Sequence, residues 1–312
     1  MTSPVFISYN EVKNILTSSM IKESVEEAFK SVVVSKGNNQ DHPYAYQCPR
    51  IRTSSHNVNG ILLTMPGCIS NHKVTLPNGE RKTFETLACK LITRSPKNNQ
   101  LTPQLPNVLA NILLFDEQTG QLKCVMDGKY ITVWRTVAAS LVATKFLYFG
   151  RKNVNASNGV TLAIVGCGVQ GESHALEMFR VFSTIRECVS NADIIVTCTR
   201  TVEPILHLNM LKKDVHINAV GAAPGGKHYC ELGQDIYDIA PVYVDSLNGA
   251  KTDLADLKTN IVCAVGEVIL GVGKCPEKGI SVFQSLGMAV EDAAVAQAVF
   301  QYRKNKQTKS RL

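Results

Sequence analysis

One stretch constrains this chain more than any other. Between Val160 and Gly171 it reads VTLAIVGCGVQG, an apolar run that leads straight into G-x-G-x-x-G at Gly166, Gly168 and Gly171. That order predicts a buried parallel strand, a tight turn and the start of a helix. The first glycine makes the turn, the second lets the backbone approach a pyrophosphate, and the third lets helix and strand pack closely, with the helix N-terminus facing the phosphate. An ordinary glycine turn is the alternative. Further short strands are expected at 193–198, 216–220 and 242–244, with helical segments around 170–182, 203–212, 230–239 and 263–270, so this part of the chain is α/β.

A dinucleotide fold of the usual kind continues to a second strand ending in an acidic residue, or a basic one for a 2′-phosphate, about 20 residues on. Here the helix is expected to end near Ser183, and TIRECVSNADIIVTCT follows at once. That reads as a short helix and a later strand. The nucleotide-binding domain is therefore expected to be shortened.

The N-terminal part has a different texture. Ser8 followed by Glu11 is a capping-box pattern, and Ile21, Val25, Ala28, Phe29 and Val32 recur at helical spacing, so the first 35 residues are expected to form two helices. Between Tyr44 and Val125 the segments RIRTS, GILLTM, TLACKLITR and VLANILLFD read as strands, punctuated by Pro77-Asn78-Gly79, Pro96-Lys97-Asn98-Asn99 and Thr119-Gly120. A long helix is expected from Thr132 to Leu147. Asn153–Asn158 reads as a polar linker, and Leu286, Ala289, Val290, Ala293 and Ala294 as the apolar face of a C-terminal helix.

Composition excludes several classes. The chain has 312 residues, is 45% hydrophobic and 19% charged, which suits a two-domain globular protein rather than a disordered one. Its longest apolar stretches, near Val108–Phe115 and Val160–Gly166, fall far short of the ~18–20 residues of a membrane span. The net charge of +7 is scattered, apart from Arg303, Lys304, Lys306, Lys309 and Arg311 near the end. No basic and aromatic stripe marks a nucleic-acid partner; the balance favours a small anionic ligand. The ten cysteines never fall as C-x-x-C and several lie in apolar runs, so no disulfide frame or metal site is expected and a reducing, cytoplasmic setting is. The terminal Ser310-Arg311-Leu312 is a variant of the Ser-Lys-Leu peroxisomal address, with a frayed basic tail as the alternative.

The segments GCGVQGESHA, DGKYITVWRTVAASLVATKFL, TVEPIL, HINAVGA, VYVDS, GEVILG and VFQSLGMAVEDAA resemble, in sequence and order, the ornithine cyclodeaminase/mu-crystallin family, closest to its ketimine-reductase branch. The resemblance implies a Rossmann-like nucleotide-binding domain (139–284) inserted in an α+β substrate and dimerisation domain (1–138), to which a last helix (285–312) returns. It implies a homodimer using NADPH or NADH to reduce the C=N bond of a cyclic ketimine carboxylate. Arg52, Lys90 and Arg135 match the carboxylate cluster, with Lys90 and Arg135 as catalytic candidates. Three convergent cations suit one carboxylate, though each alone could be a surface charge with a packed stem. Arg135 and Thr136 match cofactor-phosphate contacts, Gly166, Gly168, Val169, Gln170 and Gly171 the glycine loop, and Val220 and Ser285 the border of the nicotinamide. Thr199 and Arg200 match the adenosine side more loosely. Glu267 matches a ligand-pocket position, or is a solvated helix residue.

The chain departs from the family in three places. Gly221-Ala222-Ala223-Pro224 lacks the cyclodeaminases' water-activating aspartate, which speaks against cyclodeamination. Val108 and Leu109 replace a histidine and a polar residue at a cofactor contact. The gap after Ser183 removes the loop that selects the adenosine phosphate. Two further readings therefore stay open beside the reductase: a non-catalytic small-molecule binder or structural protein, in line with the family's association with thyroid-hormone binding and lens accumulation, and a defective isoform.

Overall fold

The computed structural model describes residues 3–33, 43–54, 60–95, 97–151, 159–176, 185–222 and 229–309. The chain divides into two units, Met1–Arg135 with Met288–Leu312, and Thr136–Gly287. The expected linker at 153–158, the terminal tripeptide and the expected extension of the glycine-loop helix to 182 lie outside the described residues.

The first unit opens with β1 (Val5–Ile7), α1 (Tyr9–Ile15) and α2 (Ser18–Ser31). The capping box forms as expected: Glu11 N–H donates to Ser8 Oγ and Ser8 N–H to Glu11 Oε2. The strand ahead of the two helices was not expected. It pairs in parallel with residues 124–126, a distant partner that local periodicity cannot reveal. Six strands joined by antiparallel pairing follow, β2 (Tyr44–Gln47), β3 (Ile51–Ser54), β4 (Ile61–Thr75), β5 (Arg81–Arg94), β6 (Val108–Phe115) and β7 (Leu122–Asp127), and then α3 (Lys129–Leu147). The sheet order is β1-β7-β6-β5-β4-β2, with β3 also on β4. Lys90 on β5 lies opposite Met65 on β4 and Ile112 on β6. Paired residues share a face, so Lys90, Met65 and Ile112 all point to the buried side.

The second unit is built on a parallel sheet. Its elements are β8 (Leu162–Val165), α4 (Val169–Ala175), α5 (Ile185–Val189), β9 (Ile194–Thr197), β10 (Val215–Ala219), α6 (Gln234–Tyr237), β11 (Val242–Val244), α7 (Leu247–Asp253), β12 (Ile261–Ala264), α8 (Val265–Ile269) and β13 (Ile280–Gln284). The strand order is β12-β11-β13-β10-β9-β8. Every residue of β9, β10 and β11 is buried, as in a sheet covered on both faces, and the two polar side chains of β10 are hydrogen-bonded, His216 to Ser281 and Asn218 to Thr144. From the glycine-loop strand the chain passes through α4 and α5 to β9, which pairs directly with β8. Among the described residues β8 has no strand on its other side.

Several helical expectations in this unit are corrected. Within 203–212 only the single turn Leu208–Met210 is helical. Pro204 disfavours a helix through this segment, and the N–H groups of Ile205 and Leu206 donate to Glu231 O instead. The segment 230–239 keeps one turn, α6, and 263–270 begins as the end of β12 before α8 starts. Short apolar runs cannot be assigned to helix or strand from periodicity alone, which also hid β13.

The chain then returns to the first unit as α9 (Ala289–Lys309). Leu286, expected on this helix, precedes it and donates its N–H to Asp245. Residues 289–299 are buried on every side. Small residues permit the close fit: a Cβ placed on Gly67 of β4 would lie 3.1 Å from Ala289 Cβ. No helix among the described residues is long and apolar enough to cross a membrane.

Candidate active site

In the first unit, β5, α3 and α9 bring four charged side chains together. Lys90 Nζ donates to both oxygens of Asp292, at 2.9 and 3.1 Å. Arg135 Nη1 donates to Glu291 Oε2 at 2.8 Å, and its Nε lies 3.7 Å from Asp292 Oδ1. Lys90 and Asp292 are each 1% exposed and Glu291 is fully buried. Ions so far from water persist only when paired and hydrogen-bonded, and these four form a balanced set of two cations and two anions. Burial pulls the Lys90 ammonium down to about 8, against the neighbouring Asp292 carboxylate, which raises it, while Arg135 adds to the lowering. An amine in that range can hold and release a proton near neutral pH.

Lys90 and Arg135 are thus joined through an acid pair that the sequence reading did not select. A signal was present: Glu291 and Asp292 interrupt the apolar run MAVEDAAVAQAVF, where an exposed helix would not be apolar on every other side. Arg52 is not part of the quartet. It is exposed on β3, opposite Leu63 of β4. Leu63 and Met65 alternate to one face, so Arg52 sits on the same face of the sheet as Lys90, two strands away.

In the second unit, the glycine loop has the geometry its three positions require. Gly166 has φ of +129°, and a Cβ there would lie 2.8 Å from Cys198 O. A Cβ on Gly171 would meet Gly166 O at 1.8 Å, so only glycine lets α4 close onto the loop. At Gly168 there is open space, and Cys167, Gly168 and Val169 are exposed in succession. A bare backbone facing outward between two sterically obligate glycines fits a pyrophosphate. Gln170, the next residue, has its Oε1 buried and, among the described residues, without a hydrogen-bond partner.

The other candidates of this unit fall on the carboxyl edge of its parallel strands, the edge that carries the glycine loop. Val220 donates its N–H to Thr197 O at the end of β9, and Ser285 donates to Ala219 O at the end of β10. Thr199 donates both its N–H and its hydroxyl to Glu231. Thr136 does not lie on that edge; it is buried two turns into α3, which begins at Lys129 rather than at Thr132. Glu267 stands apart, on α8 beyond β12, the outermost strand on the side opposite β8. Its carboxylate accepts the Ala264 N–H at 2.7 Å and braces its own helix start. Glu231 was missed by the sequence reading, although a lone acid in the run YCEL marks it.

Comparison with known proteins places these features in context. The family model described as "Ornithine cyclodeaminase/mu-crystallin family" matches residues 2–187 and 179–307, two segments that meet at the Ser183 region. A ketimine reductase mu-crystallin of Rattus norvegicus is 31% identical over 96% of this chain and 97% of its own length. Among solved structures, the Thermococcus litoralis Δ1-pyrroline-2-carboxylate reductase in complex with NADH and L-proline has a TM-score of 0.76 and 26% identity, over 97% of this chain and 98% of that one. An archaeal alanine dehydrogenase dimer with bound NAD has the same TM-score, 0.76, at 23% identity, over 97% of each chain, and shares the fold.

Proposed function

Because the chain belongs to the ornithine cyclodeaminase/mu-crystallin family, we propose that it reduces the C=N bond of a cyclic ketimine carboxylate with NADH or NADPH. The observation that carries this reading is the buried Lys90–Asp292 pair beside Arg135–Glu291. In support, a relative is named a ketimine reductase mu-crystallin and a structural neighbour a Δ1-pyrroline-2-carboxylate reductase.

The backbone of Gly166–Gly171 would hold the cofactor's pyrophosphate, with Val220 and Ser285 bordering its nicotinamide. When bound, the reduced nicotinamide supplies a hydride to the imine carbon. The protein's own residues handle charge and the proton. Lys90 Nζ, held at two points by Asp292, gives its proton to the imine nitrogen as that nitrogen becomes an amine. Arg135, braced by Glu291, and Arg52, on the same sheet face as Lys90, hold the carboxylate. The active unit is a homodimer, which sedimentation tests directly. The site of action is the cytoplasm, or the peroxisome if the terminal tripeptide is read; a fluorescent fusion with and without residues 310–312 separates the two.

The non-catalytic reading, or a defective isoform, is favoured by one observation: among the described residues, β8 has no strand beyond it where a full nucleotide fold carries its adenosine contacts. Calorimetric titration with NADH and NADPH, followed by turnover of five- and six-membered cyclic ketimine carboxylates, decides between them. Binding with turnover supports the reductase. A folded protein that binds neither nucleotide overturns it and leaves the binder.

A further inference from the structure

Beyond the β9 and β10 strand ends, where the sheet's own ladder stops, a single carboxylate takes over. Glu231 is 2% exposed. Its Oε2 accepts the Thr197 hydroxyl at 2.7 Å and the Gly221 N–H at 2.8 Å; its Oε1 accepts the Thr199 N–H at 2.6 Å and the Thr199 hydroxyl at 2.7 Å. Four donors fill the acceptor capacity of a carboxylate. The backbone behind it is equally fixed, since Glu231 O accepts from Ile205 and Leu206 and Gly233 N–H returns to Leu206 O. A Cβ on Gly221 would reach within 2.4 Å of the carboxylate, so Gly221 is part of the same fitting.

We propose that Glu231 is a positioning residue for the cofactor: it sets the chain just beyond β9, against which the glycine loop packs, and just beyond β10, beside Val220. This rests on the dinucleotide reading above. The link is short. Thr197 and Thr199, both held by Glu231, flank Cys198, and Cys198 is the residue against which Gly166 packs, with O and Sγ at 2.8 and 2.9 Å from a Cβ placed there. On the β10 side, Gly221 follows Val220, a proposed nicotinamide neighbour. One acceptor-only group thus ties the floor of the pyrophosphate loop to the border of the nicotinamide. Glutamine cannot replace it. Its amide oxygen can still accept from Thr199, and the Thr197 hydroxyl can rotate to accept, but the Gly221 N–H would face an NH2 and keep only its 3.2 Å contact to Thr197 O.

The test compares wild type, Glu231→Gln and Thr197→Val. Thr197 is fully buried and removes one donor to Glu231 without touching cofactor. Dissociation constants for NADH and NADPH are measured by calorimetry, KM for the ketimine at saturating cofactor, and the thermal midpoint by circular dichroism. We expect E231Q to weaken nucleotide binding about tenfold or more and T197V by a few-fold, with the ketimine KM unchanged. Should E231Q fail to fold, T197V carries the test alone. Wild-type nucleotide affinity in both variants overturns the proposal. So does a parallel rise of both constants with a fall in thermal midpoint, the pattern of a merely structural group. Failure of the wild type to bind either nucleotide overturns the reductase reading, and this proposal with it.

Discussion

Lys90 and Asp292 are 202 residues apart in sequence and meet at 2.9 and 3.1 Å, each 1% exposed. Because burial lowers the ammonium and Asp292 raises it, the pair sets the proton affinity of the candidate acid. If protonated Lys90 is the active form, activity falls as pH rises through about 8. Asp292→Asn removes the raising influence, so the alkaline limb moves to lower pH. A pH profile of kcat/KM for both proteins checks this. An alkaline limb that stays in place in D292N shows that Lys90 is not the titrating acid.

The same pair has a stability signature of definite sign. Lys90 has a folded value near 8, below its ordinary 10.5, so the unfolded chain binds the proton more tightly. The cost of burying the ammonium is fully present below about 8 and is lost as pH rises from 8 to 10.5. Asp292→Asn alone leaves a buried cation short of its partner and is expected to cost ~3 kcal/mol at neutral pH. Lys90→Met with Asp292→Leu removes both charges and should recover most of that loss while abolishing turnover. Urea unfolding of the single and double variants at pH 7 and pH 9 reads both effects. In the double variant the Lys90 contribution to the pH dependence disappears.

The glycine loop separates fold from function. A methyl on Gly168 meets open space, whereas one on Gly171 meets Gly166 O at 1.8 Å. Gly168→Ala should therefore leave stability within ~0.5 kcal/mol of wild type while weakening nucleotide binding about tenfold. Gly171→Ala forces backbone apart and should cost ~1–3 kcal/mol as well as binding. Thermal unfolding paired with NADH titration distinguishes them. Equal stability losses would mean that the loop relaxes and the close packing is not required.

Much of this was legible because the signals were local. The strand into Gly166, the Ser8–Glu11 cap and the long strand carrying Lys90 follow from patterning within a few residues. What stayed hidden was made by distance. β1 is a strand only because residues 124–126 lie beside it. The segment after Arg200 keeps only one helical turn because Pro204 interrupts it and Glu231 O captures the N–H groups of Ile205 and Leu206. The acid partners of Lys90 and Arg135 come from a helix near the other end of the chain, and no spacing rule links position 90 to position 292. The resemblance to the family supplied the cations; only the fold supplied the charges that balance them.

Arg52 offers the sharpest separation of binding from folding. It is exposed on β3 and stands outside the Lys90–Arg135–Glu291–Asp292 quartet, yet it shares their sheet face. Because it leaves no buried charge behind, Arg52→Met should keep stability within ~0.5 kcal/mol of wild type. If it holds the substrate carboxylate, a charge-assisted hydrogen bond worth ~1.5–3 kcal/mol is lost, which corresponds to a KM about 10–150-fold higher for the ketimine carboxylate. Arg52→Lys retains a point charge without the planar fork and should fall between. The cofactor dissociation constant should not change in either variant. A KM equal to wild type in R52M would remove Arg52 from the site and leave the carboxylate to Arg135, whose own guanidinium is already engaged by Glu291.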